Sequence, residues 1–292
     1  MPPPDRPGGP RLQPRRPAPD SPNRSTPGAG SLEVARVGWA MIVVGLLAFL
    51  AAAAGIAVSA TPATRTTADE PQYLLTAISL AEDGDLDIAD ELAEARWRPF
   101  HALPLPTQTE ALADGRRLSP HDPLLPLLLA GPVAAGGWVG AKLAMAAMAG
   151  LLAALLLWTA VRRFAVPLPV AALAAVVFAL SPPLAVYGSQ LYPELPAALV
   201  TLAAVAALTG PGTRREPTPE PGGIGAILVV GGAVVALPWL AVKYVPVAAA
   251  IGAVACWRLA RDGRGRRALG LAGSLAAAGV VFLVLHRWWY GG

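Results

Sequence analysis

The chain has 292 residues, of which 54% are hydrophobic and only 14% charged, whereas a soluble domain carries about 25% charged residues. This excludes an ordinary soluble domain and predicts an all-α, polytopic transmembrane protein. The formal net charge of +4 comes without a basic face interleaved with aromatics, which argues against a nucleic-acid partner; the single Cys256, in an apolar segment, excludes a disulfide framework.

The first predicted unit, residues 1–31, is a tail with ten Pro and five Arg before Ser31. It cannot bury a core and reads as disordered. The remainder, residues 32–292, reads as one transmembrane domain. Its first span, Val37 to Ala60, contains no charged residue. A signal peptide would place a short apolar run behind a brief basic start, so this span reads as an uncleaved anchor.

A large outer loop follows, residues 61–136. Thr61 to Asp122 holds twelve of the nineteen acidic residues, and acid gathered beside a membrane calls for a reason. Asp69-Glu70-Pro71-Gln72-Tyr73-Leu74 has Pro where a first helical turn tolerates it and acids where the helix dipole favours them. The segment therefore reads either as a well-formed helix start or as a general base held above the membrane. Farther on, Asp83, Asp85, Asp87, Glu91 and Glu94 fall at positions 1, 3, 5, 9 and 12 of a calcium-loop pattern, but Ile88 stands where that loop needs Gly. An acidic turn leading into a helix over Asp87 to Ala95 fits better, with a looser divalent site as the alternative. His121-Asp122-Pro123 closes the loop. His121 is a surface residue or, among these carboxylates, a metal ligand.

Pro123 to Ala135 is apolar, short and broken by Pro126 and Pro132, which predicts a helix lying in the interface or dipping partway in. Spans then follow near Gly137–Thr159, Leu168–Tyr187, Leu195–Thr209, Ile224–Ala241, Val245–Trp257 and Ala268–Leu285, about seven with the first. Arginines in the tail, at Arg162-Arg163, at Arg214-Arg215 and from Arg258 to Arg267 all fall on one side of this threading. Cytoplasmic loops carry such an excess, so the N-terminus is predicted to be cytoplasmic in a plasma (inner) membrane. Tryptophans near most span ends agree with this threading.

Two outer links carry unusual residues. Leu191-Tyr192-Pro193-Glu194 offers a phenol and a carboxylate, and Trp239 to Tyr244 offers Lys243, which either snorkels to the headgroups or holds a phosphate.

Asp69-Glu70 with Tyr73 after a first span, His121-Asp122-Pro123-Leu124-Leu125-Pro126 closing the loop, then Leu191-Tyr192-Pro193-Glu194 and Lys243-Tyr244, resembles the GT-C superfamily of membrane glycosyltransferases, in its protein O-mannosyltransferase and aminoarabinose transferase branch. The resemblance runs from about Val37 to Gly292. It implies a polyprenyl-phosphate-linked sugar donor and a lipid, glycan or protein acceptor on the outer face. It also implies Asp69 as base, with Glu70 and Glu194 as supporting carboxylates and Lys243 as phosphate contact. Tyr73, His121 and Tyr192 would then line the donor site. A divalent metal is compatible with this set, Glu70, His121 and Asp122 being its candidate ligands. Members of that family usually have more spans and often a further domain, so the chain reads as a truncated form. Rival readings are a transporter or lipid flippase, for which ionisable groups near mid-bilayer would be needed, and a non-catalytic fragment with the same fold.

Overall fold

The computed structural model describes residues 29–59, 64–106, 108–210 and 223–290. The expectations for most of the tail and for Arg214-Arg215 lie outside the described residues. Ten α-helices are described: α1 (Ala29–Gly55), α2 (Glu70–Glu82), α3 (Ala89–Ala93), α4 (Leu124–Phe164), α5 (Leu168–Leu180), α6 (Pro182–Tyr187), α7 (Glu194–Leu208), α8 (Ile224–Leu240), α9 (Val245–Arg261) and α10 (Gly265–Tyr290), with a 3-10 turn at Val242–Tyr244. Among the described residues there is no strand, only isolated bridges between Thr64 and His101 and between Asp87 and Leu118. The all-α class follows directly from the apolar composition, because in lipid only a helix satisfies every backbone group within its own segment.

Four helical segments are long and apolar enough to cross a membrane: Ser31–Gly55, Leu124–Phe164, Val242–Arg261 and Gly265–Tyr290. The sequence predicts about seven spans; the other three fall on α5, α7 and α8, of 13, 15 and 17 residues. Proline shortens the first of these: Pro182 and Pro183 follow the break at Ser181 that divides α5 from α6, whereas α7 and α8 keep nearly their expected bounds and are short because their apolar stretches are short. A proline ring cannot donate the missing backbone hydrogen bond, so the pair marks a helix boundary.

α4 contains the predicted division between an apolar segment and a span. Gly136 (φ −151°, ψ 18°) and Gly137 (φ 60°, ψ −150°) leave the helical region, so the helix bends sharply after Ala135. At Gly140 a Cβ would lie 2.1 Å from the Pro132 carbonyl oxygen. Only glycine permits that approach.

α1 lays Val37, Val44, Ala48 and Ala52 against the bundle and turns Trp39, Ile42, Val43 and Leu46 outward. The outward face is as apolar as the inward one, as expected where lipid rather than water surrounds a helix. α1 packs on α4, α4 also carries α2, α5 and α7, and α8, α9 and α10 complete the row. At the α1–α4 crossing Gly45 meets Gly150, where a Cβ on Gly150 would sit 2.7 Å from the Gly45 carbonyl oxygen.

The outer loop departs from its expectation as a polar segment held at the surface. Every residue of α2 from Glu70 to Ser79 is buried, and Tyr73, Leu74, Leu75, Ile78, Ile88 and Phe100 share one core with Leu125 and Leu129 of α4. The reason lies in α2 itself, whose apolar residues have helical spacing and find a partner in the first part of α4. Most of the loop's acids lie on the surface of a folded cap, Glu70 and Glu91 being buried within it.

The glycine crossing gives a direct test of this packing. Gly150→Val should force α1 from α4 and destabilise the protein by about 1–3 kcal/mol, the usual cost of overpacking, whereas Gly270→Ala, with nothing within 4 Å, should leave thermal unfolding in detergent unchanged or slightly raised.

Candidate functional site

The site begins at a strained turn. Ala68 adopts φ 43°, a left-handed conformation that non-glycine residues rarely take. It delivers Asp69 to the N-cap of α2 with its carbonyl oxygen accepting from the Gln72 and Tyr73 amides at 3.0 and 3.3 Å. The Asp69 carboxylate makes no capping bond. Instead Gln108 Nε2 donates to its Oδ1 at 3.3 Å, and His121 Nε2 lies 3.7 Å from the same oxygen. The side chain remains 43% exposed. A helix start alone would use this carboxylate on the backbone amides, so the side chain is available for other work.

Glu70 has the opposite environment. Its side chain is 1% exposed. Oε1 accepts from the Leu191 amide at 3.0 Å and stands 3.5 Å from Lys142 Nζ; Oε2 accepts from the Thr67 amide at 2.7 Å and the Thr67 hydroxyl at 3.2 Å. Lys142 also donates to the Arg65 carbonyl at 2.7 Å. A carboxylate so enclosed reaches neither substrate nor metal; it fixes the turn that presents Asp69. Lys142 was legible only as a charge inside an otherwise uncharged span, and such a charge demands a partner.

His121 stacks on Tyr73 with ring centroids 4.6 Å apart and planes at 22°. Burial, opposed by the carboxylates of Asp69 and Asp122, lowers the His121 pKa, which favours the neutral imidazole at pH 7. Burial, reinforced by the negative charges of Asp69, Glu194 and Asp122, raises the Tyr73 phenol far above its ordinary range. Those charges therefore converge on one hydroxyl from three segments of the chain. Burial likewise raises Tyr192, whose hydroxyl donates to the Thr67 carbonyl at 3.3 Å.

On the other wall Lys243 Nζ and Glu194 Oε1 are 2.5 Å apart, and the ammonium stands 5.3 Å from the centroid of the Tyr244 ring. Glu194 Oε2 and the Tyr244 hydroxyl are buried without a hydrogen-bond partner among the described residues. Asp122 is fully engaged: Oδ1 lies 2.7 Å from His286 Nε2, and Oδ2 accepts from the Val242 amide at 3.0 Å. Tyr290 donates to the His121 carbonyl at 3.2 Å. His286 and Tyr290, on α10, were missed at the sequence level because nothing in an apolar helix announces which distant loop it meets.

The structure thus brings Asp69, Tyr73, His121, Glu194 and Lys243 to one rim, with Tyr192 behind the Asp69 turn. Glu70, His121 and Asp122 do not form a metal set. Glu70 is enclosed, both Asp122 oxygens are taken, and among the described residues the one trio of acids with converging ligand atoms is elsewhere, at Asp83, Asp90 and Glu91. A cleft of about 650 Å³ opens between the far end of α2, the start of α4 and the end of α10, lined by Leu80, Leu86, Leu118, Leu124, Trp239 and Trp288, with Arg116 at its wall. No known protein family, no curated protein and no solved structure matches this chain.

Removing one partner of the enclosed pair tests its structural role. Lys142→Met should destabilise the fold by about 3–5 kcal/mol, because it leaves the Glu70 charge buried and uncompensated, and the loss should show as a lower melting temperature or failed membrane accumulation.

Proposed function

We propose that this chain is a membrane glycosyltransferase of GT-C type, moving a sugar from a polyprenyl-phosphate donor to a hydroxyl acceptor on the outer face of the membrane. The observation that carries this reading is the Asp69 carboxylate, released from capping, half-exposed and facing a rim that also holds a lysine. The attacking hydroxyl forms a new C–O bond at the anomeric carbon, the bond to the lipid phosphate breaks with its electron pair, and the hydroxyl proton passes to Asp69. The reaction needs a proton acceptor and a cation for the departing phosphate; Asp69 and Lys243 are suited to the two tasks. Gln108 positions Asp69 through its hydrogen bond to Oδ1, His121 stands beside it, and Glu194 holds Lys243 until phosphate replaces it. Glu70 is assigned to the architecture of the turn rather than to the reaction.

The apolar cleft that runs from Pro123 and Trp239 toward the far end of α2 supports a place for a long isoprenoid tail, since its tryptophans and leucines give hydrocarbon contact. In this reading α5 with α6, α7 and α8 also cross the bilayer. At 1.5 Å per residue α7 reaches only about 22 Å, so the crossing requires the flanking links and locally thinned lipid. The transporter reading draws on Lys142, an ionisable group within an apolar helix. Its contacts with Glu70 and the Arg65 carbonyl are those of a structural clasp, and it stands near the outer rim.

Asp69→Asn should keep normal expression and melting while reducing transfer from a radiolabelled polyprenyl-phosphate sugar by a factor of about 100 to 10,000; unchanged transfer would remove Asp69 from the reaction. Lys243→Ala should weaken donor binding by one to two powers of ten, a charge-assisted contact contributing about 1.5–3 kcal/mol, with Lys243→Arg less affected.

Orientation is tested in a Cys256→Ser background. A cysteine at exposed Glu110 should react with an impermeant maleimide in intact cells, and one at exposed Asp262 should not. The reverse pattern would put the rim on the cytoplasmic side.

A further inference from the structure

We propose that Asp83, Asp90 and Glu91 form a calcium-binding site in the folded cap, separate from the rim that carries Asp69. One carboxylate oxygen from each lies within 4.8 Å of the others. Calcium takes six to eight oxygen ligands at about 2.3–2.6 Å in a flexible shell, and a trio within this bound fits around one such ion. Magnesium keeps several of its waters and is bound through one or two carboxylates rather than a three-carboxylate set. Water and neighbouring carbonyl oxygens complete a calcium shell of six to eight.

The independent observation is Glu91. Its residue is 2% exposed, and its Oε2 is buried with no hydrogen-bond partner among the described residues. A carboxylate withdrawn from water and set against two further acids is costly unless a proton or a cation neutralises it, and a cation would satisfy all three acids at once. Arg96 is the nearby base, but it is committed to Glu82 at 2.6 Å and to Glu94 at 3.8 Å.

The other acids of this stretch have different duties. Asp85 Oδ1 accepts from the Ser79 hydroxyl and the Asp87 amide, and Asp87 Oδ1 accepts from the Ala89 and Arg117 amides. The regular calcium-loop spacing is therefore spent on turns. The ligands instead come from the two helix ends: Asp83 is the C-cap of α2, and Asp90 and Glu91 lie in the first turn of α3. The negative end of the α2 dipole adds to the attraction for a cation. Bound there, calcium would tie α2 to α3 at the end of α2 opposite Asp69.

The site does not rest on the glycosyl-transfer reading, and it is tested without any activity. The full chain, purified in detergent in chelator-treated buffer, is titrated calorimetrically with calcium chloride and followed by thermal unfolding. We expect one ion per chain, a dissociation constant on the order of 10⁻⁴–10⁻³ M as in extracellular calcium modules, and a melting temperature raised by about 3–10 °C at 10 mM calcium. Asp83→Asn, at an exposed position that tolerates change, should weaken binding at least tenfold, as should Glu91→Gln. Glu110→Gln, an exposed acid elsewhere in the cap, should bind as the unmodified chain does. Absence of saturable binding by the unmodified chain, equal binding in Asp83→Asn, or an equal response to magnesium would overturn the assignment.

Discussion

The architecture depends on one buried ion pair. Glu70 sits at the start of α2, Lys142 in the second part of α4, and the Leu191 amide just before α7; the carboxylate binds all three regions at one point. A charge this deep would be expelled from the fold without its partners. Because Lys142 also holds the Arg65 carbonyl, the chain leaving α1 is pulled to the same point. The turn between Arg65 and Glu70 is thereby over-determined, which lets Ala68 occupy an unfavourable conformation and leaves Asp69 without a capping duty.

Adjacent carboxylates consequently receive opposite roles. In the sequence Asp69 and Glu70 are nearly interchangeable acids before a proline. In the structure one is enclosed with its oxygens satisfied, and its neighbour is half-exposed between Gln108 and His121. Environment, rather than residue type, separates an acid enclosed in the architecture from one left open to solvent.

Much of the helical class and the rim residues could be anticipated, because each leaves a local mark. Apolar runs mark helices and charges at span ends mark a polar surface, although α4 runs through Pro126 and Pro132, where a break is expected, and leaves the helical region at Gly136-Gly137 instead. The cap was harder to read. α2 is amphipathic by ordinary standards, and only contact with Leu125 and Leu129 shows that its polar face is covered as well. The roles of Lys142, His286 and Tyr290 were illegible for a related reason: each acts on a partner tens to hundreds of residues away. The spans also differ from a simple count, since Pro182 and Pro183 cut the stretch from Leu168 to Tyr187, whose composition alone reads as continuous, while α7 and α8 are short in themselves.

The contact between α10 and the loop closing the cap bears on how the protein is made. His286 and Asp122 are separated by 164 residues, and Tyr290 reaches back still farther, to the backbone of His121. Synthesis proceeds from the N-terminus, so the cap and the first helices emerge long before their clasp exists. During that interval Asp122 lacks its imidazole partner, and His121 lacks the phenol that ties down its carbonyl. The rim can mature only after α10 has been delivered to the bilayer, which makes its completion a non-local closure, the slow kind. A ribosome that stalls before α10 would release a chain with most of its bundle and an unfinished site.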